Sequence, residues 1–138
     1  MISGLSHLTF IVRDLKKMSR IIVEVFGGRE VYASAAEQHS LSPEKFFDVN
    51  GIWIAIVQDD PLPTRSYNHV AFKVSVKQLE KAKLVIEKLG LEFSSSRPRV
   101  VGEGQSLYFH DYDNHLFELH TGTLAERLAA YKELDQKP

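Results

Sequence analysis

A chain of 138 residues with 43% hydrophobic content can build one ordinary core, or two small modules sharing a sheet, but not several independent domains. Its 17 basic and 18 acidic residues are interspersed and nearly cancel, so nucleic acid and membrane are not expected as partners and small molecules are. The absence of cysteine excludes disulfides, zinc–thiolate sites and thiol nucleophiles; with no apolar run approaching about 18 residues and no targeting pattern, a cytoplasmic setting is expected.

In chain order, HLTFIV from His7 is a short apolar run rich in β-branched and aromatic residues, as a strand requires. Asp14 can cap a helix in which Leu15, Met18, Ile21, Ile22, Val25 and Phe26 recur at helical spacing before Gly27 and Gly28 stop it. Strand candidates follow at 29–34, 39–49 and 51–57, the last two joined at the hairpin signal Asn50-Gly51. A polar, proline-bearing linker, DDPLPTR, runs from Asp59 to Arg65. The same order then begins again. HVAFKV repeats the strand from His69, and Ser75 can cap a helix with Val76, Leu79, Ala82, Ile86 and Leu89 on one face and Gly90 at its end. Three more strand candidates lie at 92–97, 105–110 and 114–119, with Asp113-Asn114 where the first copy has Asn50-Gly51. Thr123 and Glu126 offer a capping box for a last helix striped by Leu124, Leu128 and Tyr131, with a frayed tail beyond Leu134.

The fold expected is therefore α+β: two tandem βαβββ modules, at about 4–58 and 67–121, joined by a linker at 59–66 and followed by a helix over about 123–134. Together they would form one domain with a curved mixed sheet around a metal site. Each module has one helix for one face of its strands and must bury the remainder against its twin.

His7 and His69 open the first strands of the two copies. Either histidine alone is more often a satisfied surface or core group; the coincidence of position is what raises a ligand role. In HLFEL, alternation sets Leu116, Glu118 and His120 on one face, and a carboxylate inside so apolar a strand is costly unless it is paired or binds metal. Its counterpart in the first copy is Ala55. Two histidines and one carboxylate leave coordination positions open, as a catalytic site needs, and without thiolate they suit Mn, Fe, Co, Ni or Zn.

This pattern, with GLSHLTFIV, YNHVAF, GEGQSLYF and DNHLFELHTGTLAERL, resembles the vicinal oxygen chelate superfamily over about residues 3–131, and within it the fosfomycin-resistance enzymes, most closely the FosX-type epoxide hydrolases. The resemblance implies one divalent ion per site, most often Mn(II), and a homodimer in which strands of both chains complete each metal cup. It implies phosphonate contacts from Ser106, Tyr108 and Arg127, with Arg97 or Arg99 in place of a lysine used by the glutathione-transferring branch. Thr9 would lie near the epoxide and Tyr67 beside the substrate. Glu44, in LSPEKFF just before the FFDV strand, would be the general base that activates water.

Bland readings stand beside these. Arg97 and Arg99 read equally as solvated edge charges, Tyr108 as core, Ser106 as a turn residue, and Gly102 and Gly104 as a tight loop. Glu44 reads from periodicity alone as an exposed loop glutamate. The function expected is metal-assisted hydrolysis of the fosfomycin epoxide to a diol. Its alternatives are a thiol transferase on the same epoxide, dioxygenase or glyoxalase chemistry, and a metal-free drug-binding module.

Overall fold

The computed structural model describes residues 1–35, 41–95 and 97–138. Its element order is β1 (His7–Val12), α1 (Leu15–Arg20) continuing into a π-helical turn (Ile21–Val25), β2 (Arg29–Ala33), β3 (Glu44–Val49), β4 (Ile52–Gln58), β5 (His69–Lys73), α2 (Val76–Lys88), β6 (Glu92–Ser94), β7 (Ser106–His110), β8 (Leu116–His120) and α3 (Leu124–Asp135). The two βαβββ modules and the C-terminal helix are thus present. Each module makes its own four-stranded mixed sheet, in the orders β1-β4-β3-β2 and β5-β8-β7-β6, with the first pair parallel and the others antiparallel.

The chain divides into two compact units, Met1–Ser66 with Asp111–His115, and Tyr67–His110 with Leu116–Pro138. In the first unit, alternation sends Phe10, Val12, Phe47, Val49, Ile54 and Ile56 to one buried face, the side that takes Met18, Ile21 and Ile22 of the helix. Asp14 caps α1 by accepting from the Lys17 N–H, as its sequence position suggests. The periodicity predicts one helix through Phe26, but the last turn widens: the Phe26 N–H reaches the Ile21 carbonyl at 3.3 Å, and both isoleucines of the Ile21-Ile22 pair become fully buried. Gly28 then has no room for a side chain, since a Cβ there would sit 2.8 Å from both Ile22 and Val49. Asn50 and Gly51 have positive φ of 51° and 86°, the backbone a two-residue hairpin turn demands.

The β7–β8 turn, Asp111–His115, belongs to this first unit. Asp113 accepts from the Arg13 N–H at 3.3 Å, Asn114 donates to the Leu62 carbonyl at 2.8 Å, and Asp111 takes the Asp113 and His115 N–H groups as well as the His115 ring. In the second unit, Phe109, Phe117, Leu119, Ala82 and Ile86 form the core, each fully buried phenylalanine stabilising by about 1.5–3 kcal/mol. A reciprocal capping box forms at Ser75 and Gln78. At α3 the Thr123 hydroxyl caps the Glu126 N–H, and the Glu126 carboxylate binds that hydroxyl rather than the Thr123 backbone, so only half of the expected box is made.

Three further expectations are corrected. The strand predicted at 39–49 begins at Glu44, directly after Pro43, which has no N–H to give a strand ladder; positions 39 and 40 lie outside the described residues. The strand predicted at 92–97 is three residues long, with position 96 outside the described residues. The stripe on α3 is not what packs: Leu124 and Leu128 are exposed and Ala130 is buried, because the small side chain lets α3 lie close to the Gly102 loop. No helix among the described residues is long and apolar enough to cross a membrane.

Candidate active site

The two sheets share one register. Thr9 on β1 stands opposite Ala55 on β4, and Ala71 on β5 opposite Glu118 on β8, so Ala55 and Glu118 are structural counterparts, as the turns predict. Glu44 pairs with Val57 as Ser106 pairs with His120, and Phe46 pairs with Ala55 as Tyr108 pairs with Glu118. Side chains directly opposite one another share a face of the sheet. The first sheet therefore presents His7, Thr9, Glu44, Phe46 and Trp53 on the face away from its helix, and the second presents His69, Ser106, Tyr108, Glu118 and His120.

On the first face, His7 and Trp53 rings lie 4.2 Å apart and Phe46 meets Trp53 edge-on at 5.2 Å. Glu44 is the first residue of β3 rather than part of the loop before it. Its backbone is held on both sides, the N–H by the Ser34 hydroxyl at 2.9 Å and the carbonyl by the Ser34 N–H at 2.9 Å. Its half-buried carboxylate makes no ion pair among the described residues.

The second face is denser. His69 Nδ1 lies 2.7 Å from the Tyr67 carbonyl, which can only accept, so Nδ1 donates there and Nε2 is the ring nitrogen turned toward Glu118. The distance from Nε2 to Glu118 Oε2 is 3.2 Å. Two electron-rich atoms this close call for a proton or a cation with them. Burial pushes the Glu118 carboxyl up, but hydrogen bonds from Ser106 and Tyr108 and the neighbouring His69 and His120 outweigh it and hold the group below the usual range, ionised. A carboxylate oxygen and an imidazole nitrogen side by side are the donor chemistry of a divalent-metal site, and both residues fit that role. Among the described residues, no group of three or more His, Cys, Asp or Glu side chains is gathered to hold a metal.

Ser106 Oγ lies 2.6 Å from Glu118 Oε1 and 2.7 Å from His120 Nδ1. A hydroxyl has one proton; the carboxylate can only accept it, so His120 donates from Nδ1. Arg99 Nη2 reaches the Tyr108 hydroxyl at 3.2 Å and Glu118 Oε1 at 3.5 Å, and the Tyr67 hydroxyl donates to Tyr108 at 3.4 Å. Burial pushes the Tyr108 phenol up to about 12 against the opposing pull of the Arg99 guanidinium, so it stays a neutral donor. Arg97 turns elsewhere, over the Tyr131 ring at 5.8 Å. Arg127, half-buried on α3, makes no ion pair among the described residues.

The structure thus brings Tyr67, His69, Arg99, Ser106, Tyr108 and Glu118 together within the second unit, and places His7, Thr9 and Glu44 on one face of the first. Two residues were missed. His120 was legible only as a face-mate of Glu118. Glu103, fully buried between two glycines, binds both Arg97 and Arg99, and an acid inside a GxG loop following two arginines was the available signal.

The profile of the Glyoxalase/Bleomycin resistance protein/Dioxygenase superfamily matches residues 4–119. The fosfomycin resistance protein FosX of Mesorhizobium japonicum is 60% identical over 94% of this chain and 93% of its own. A solved variant of FosX from Listeria monocytogenes, complexed with Mn(II) and 1S,2S-dihydroxypropylphosphonic acid, is 47% identical with a TM-score of 0.85, covering 95% of this chain and 99% of that one. The metallothiol transferase FosB of Lysinibacillus sphaericus is 33% identical over 96% of this chain and 92% of its own. The chain belongs to the glyoxalase/bleomycin resistance/dioxygenase superfamily and, within it, to the FosX group of fosfomycin resistance proteins.

Proposed function

We propose that this protein opens the epoxide of fosfomycin with water to give a vicinal diol, conferring resistance, and that its metal is Mn(II). Support comes from the FosX relatives and from the solved FosX bound to Mn(II) and a dihydroxypropylphosphonic acid, the kind of molecule that water addition to a phosphonate epoxide yields. His69 and Glu118 would hold the ion together with His7, in a homodimer whose strands from both copies complete each cup. When bound, the ion supplies Lewis acidity toward the epoxide oxygen.

The chain's own residues do the rest. Arg99, Tyr108 and Ser106 already point donors toward the Glu118 carboxylate, and with Arg127 and Tyr67 they would bind and orient the phosphonate, Arg99 rather than Arg97 taking the arginine's place. Thr9 would face the epoxide. Glu44 takes one proton from water as its oxygen bonds to an epoxide carbon; the C–O ring bond breaks, and the freed oxygen gains a proton to become the second hydroxyl. The observation that carries this reading is the convergence of His69, Glu118, Arg99, Ser106 and Tyr108 on one sheet face. A carboxylate at Glu44 favours water over thiol, since a thiol ionises without such a base. Phosphorus NMR of fosfomycin incubated with the protein and Mn(II) tests the proposal: conversion without added thiol is expected, and conversion only with thiol would instead establish the transferase.

A further inference from the structure

We propose that Glu103 is a positioning residue for the reaction: it grips Arg99 from behind and fixes the guanidinium edge that meets the phosphonate. This rests on the reading of Arg99 as a phosphonate contact. Glu103 is fully buried, and one of its oxygens, Oε1, lies 2.7 Å from Arg97 Nη2 and 3.1 Å from Arg99 Nη1. Arg99 then extends its other terminal nitrogen, Nη2, to Tyr108 and Glu118. One end of a rigid planar group is anchored in the loop and the other faces the site.

The loop is built to hold that anchor. Gly102 and Gly104 both have φ of +94°, a conformation side chains resist. Gln105 is stapled to Thr121 by two hydrogen bonds, 2.9 Å and 3.0 Å, and a Cβ on Gly122 would come within 2.2 Å of the Glu103 carbonyl. A buried carboxylate beside an anion-binding site opposes the anion by charge, so affinity alone gives no reason to keep one. Orientation does. Glu103 also cancels one of two adjacent guanidinium charges, which lets both arginines be packed in one loop. Its Oε2, the Arg99 Nε and the Arg97 Nη2 have no hydrogen-bond partner among the described residues, so Glu103 meets Arg97 as an ion pair and hydrogen-bonds Arg99 through the single oxygen Oε1, a grip sensitive to its reach.

The test is a double-mutant cycle of Glu103→Gln and Arg99→Met, read as KM and kcat for fosfomycin with Mn(II) and as the affinity for methylphosphonate by calorimetry. Glu103→Gln should raise KM and the methylphosphonate Kd about 10-fold while kcat stays within about 3-fold, and it should add nothing once Arg99 is Met. Unchanged KM in a folded Glu103→Gln protein, or additive effects, would overturn the role of Glu103. If Arg99→Met itself leaves KM unchanged, the phosphonate assignment of Arg99 falls, and this proposal with it. Should Glu103→Gln fail to fold, Glu103→Asp, which keeps the charge but withdraws the oxygen by one methylene, must show the same KM rise; an unchanged KM there overturns the proposal.

Discussion

Glu44 and Glu118 are carboxylates at different register positions of equivalent sheets, and the proposed mechanism gives them different work that their surroundings suit. Glu118 is wrapped in donors from Ser106 and Tyr108 and faces the His69 ring, whereas Glu44 keeps its carboxylate out of any ion pair among the described residues. A general base must be free to take a proton. Glu44→Gln should therefore retain metal and fosfomycin binding while the hydration rate falls roughly 100-fold, measured under saturating substrate; a variant hydrating at the wild-type rate would remove Glu44 from the mechanism. Glu103 makes a prediction about stability. Burial pushes its carboxyl up, but the Arg97 and Arg99 guanidiniums more than compensate and hold it below the ordinary range. The unfolded chain, with a glutamate pKa of about 4.3, takes up a proton before the fold does, so this stabilisation is complete above that value and is lost as pH falls through the folded one. Denaturant unfolding of wild type and Glu103→Gln should show a gap at pH 7 that narrows as pH falls below the unfolded glutamate value of about 4.3; a constant gap would contradict the linkage.

Among the elements, what the sequence made legible was what repeats or what a backbone rule dictates. The strands opening at His7 and His69, the Asp14 and Ser75 caps, the Asn50-Gly51 turn and the equivalence of Ala55 with Glu118 each follow from periodicity, capping chemistry or register. The π-helical turn, the short β6, the burial of Ala130 rather than Leu124 and Leu128, and the grip of Glu103 on two arginines depend on which segments approach one another, which local pattern does not encode. Gly122 is the plainest case: in the sequence it is a glycine after a strand, and in the fold it is the point where the Glu103 loop touches backbone to backbone. Gly122→Ala should cost about 1–3 kcal/mol in denaturant unfolding and raise KM by displacing that loop; wild-type stability and kinetics would refute the close approach.

At the scale of the whole molecule, the residues the proposed mechanism uses are divided between two units built on one plan. The first sheet carries His7, Thr9 and Glu44, and the second carries His69, Glu118 and the arginine and hydroxyl donors. Removing one imidazole should remove the ion and the activity together: His69→Ala is expected to lose stoichiometric Mn(II) by elemental analysis of the purified protein, and full metal content with full turnover would refute the ligand set. The central claim is that water, not a thiol, opens the epoxide. It is tested most directly by running the reaction with fosfomycin and Mn(II) in oxygen-18 water without thiol and weighing the product. A vicinal diol carrying one labelled oxygen is predicted, and an inert protein, or one that yields only a thiol adduct when thiol is supplied, would contradict the account.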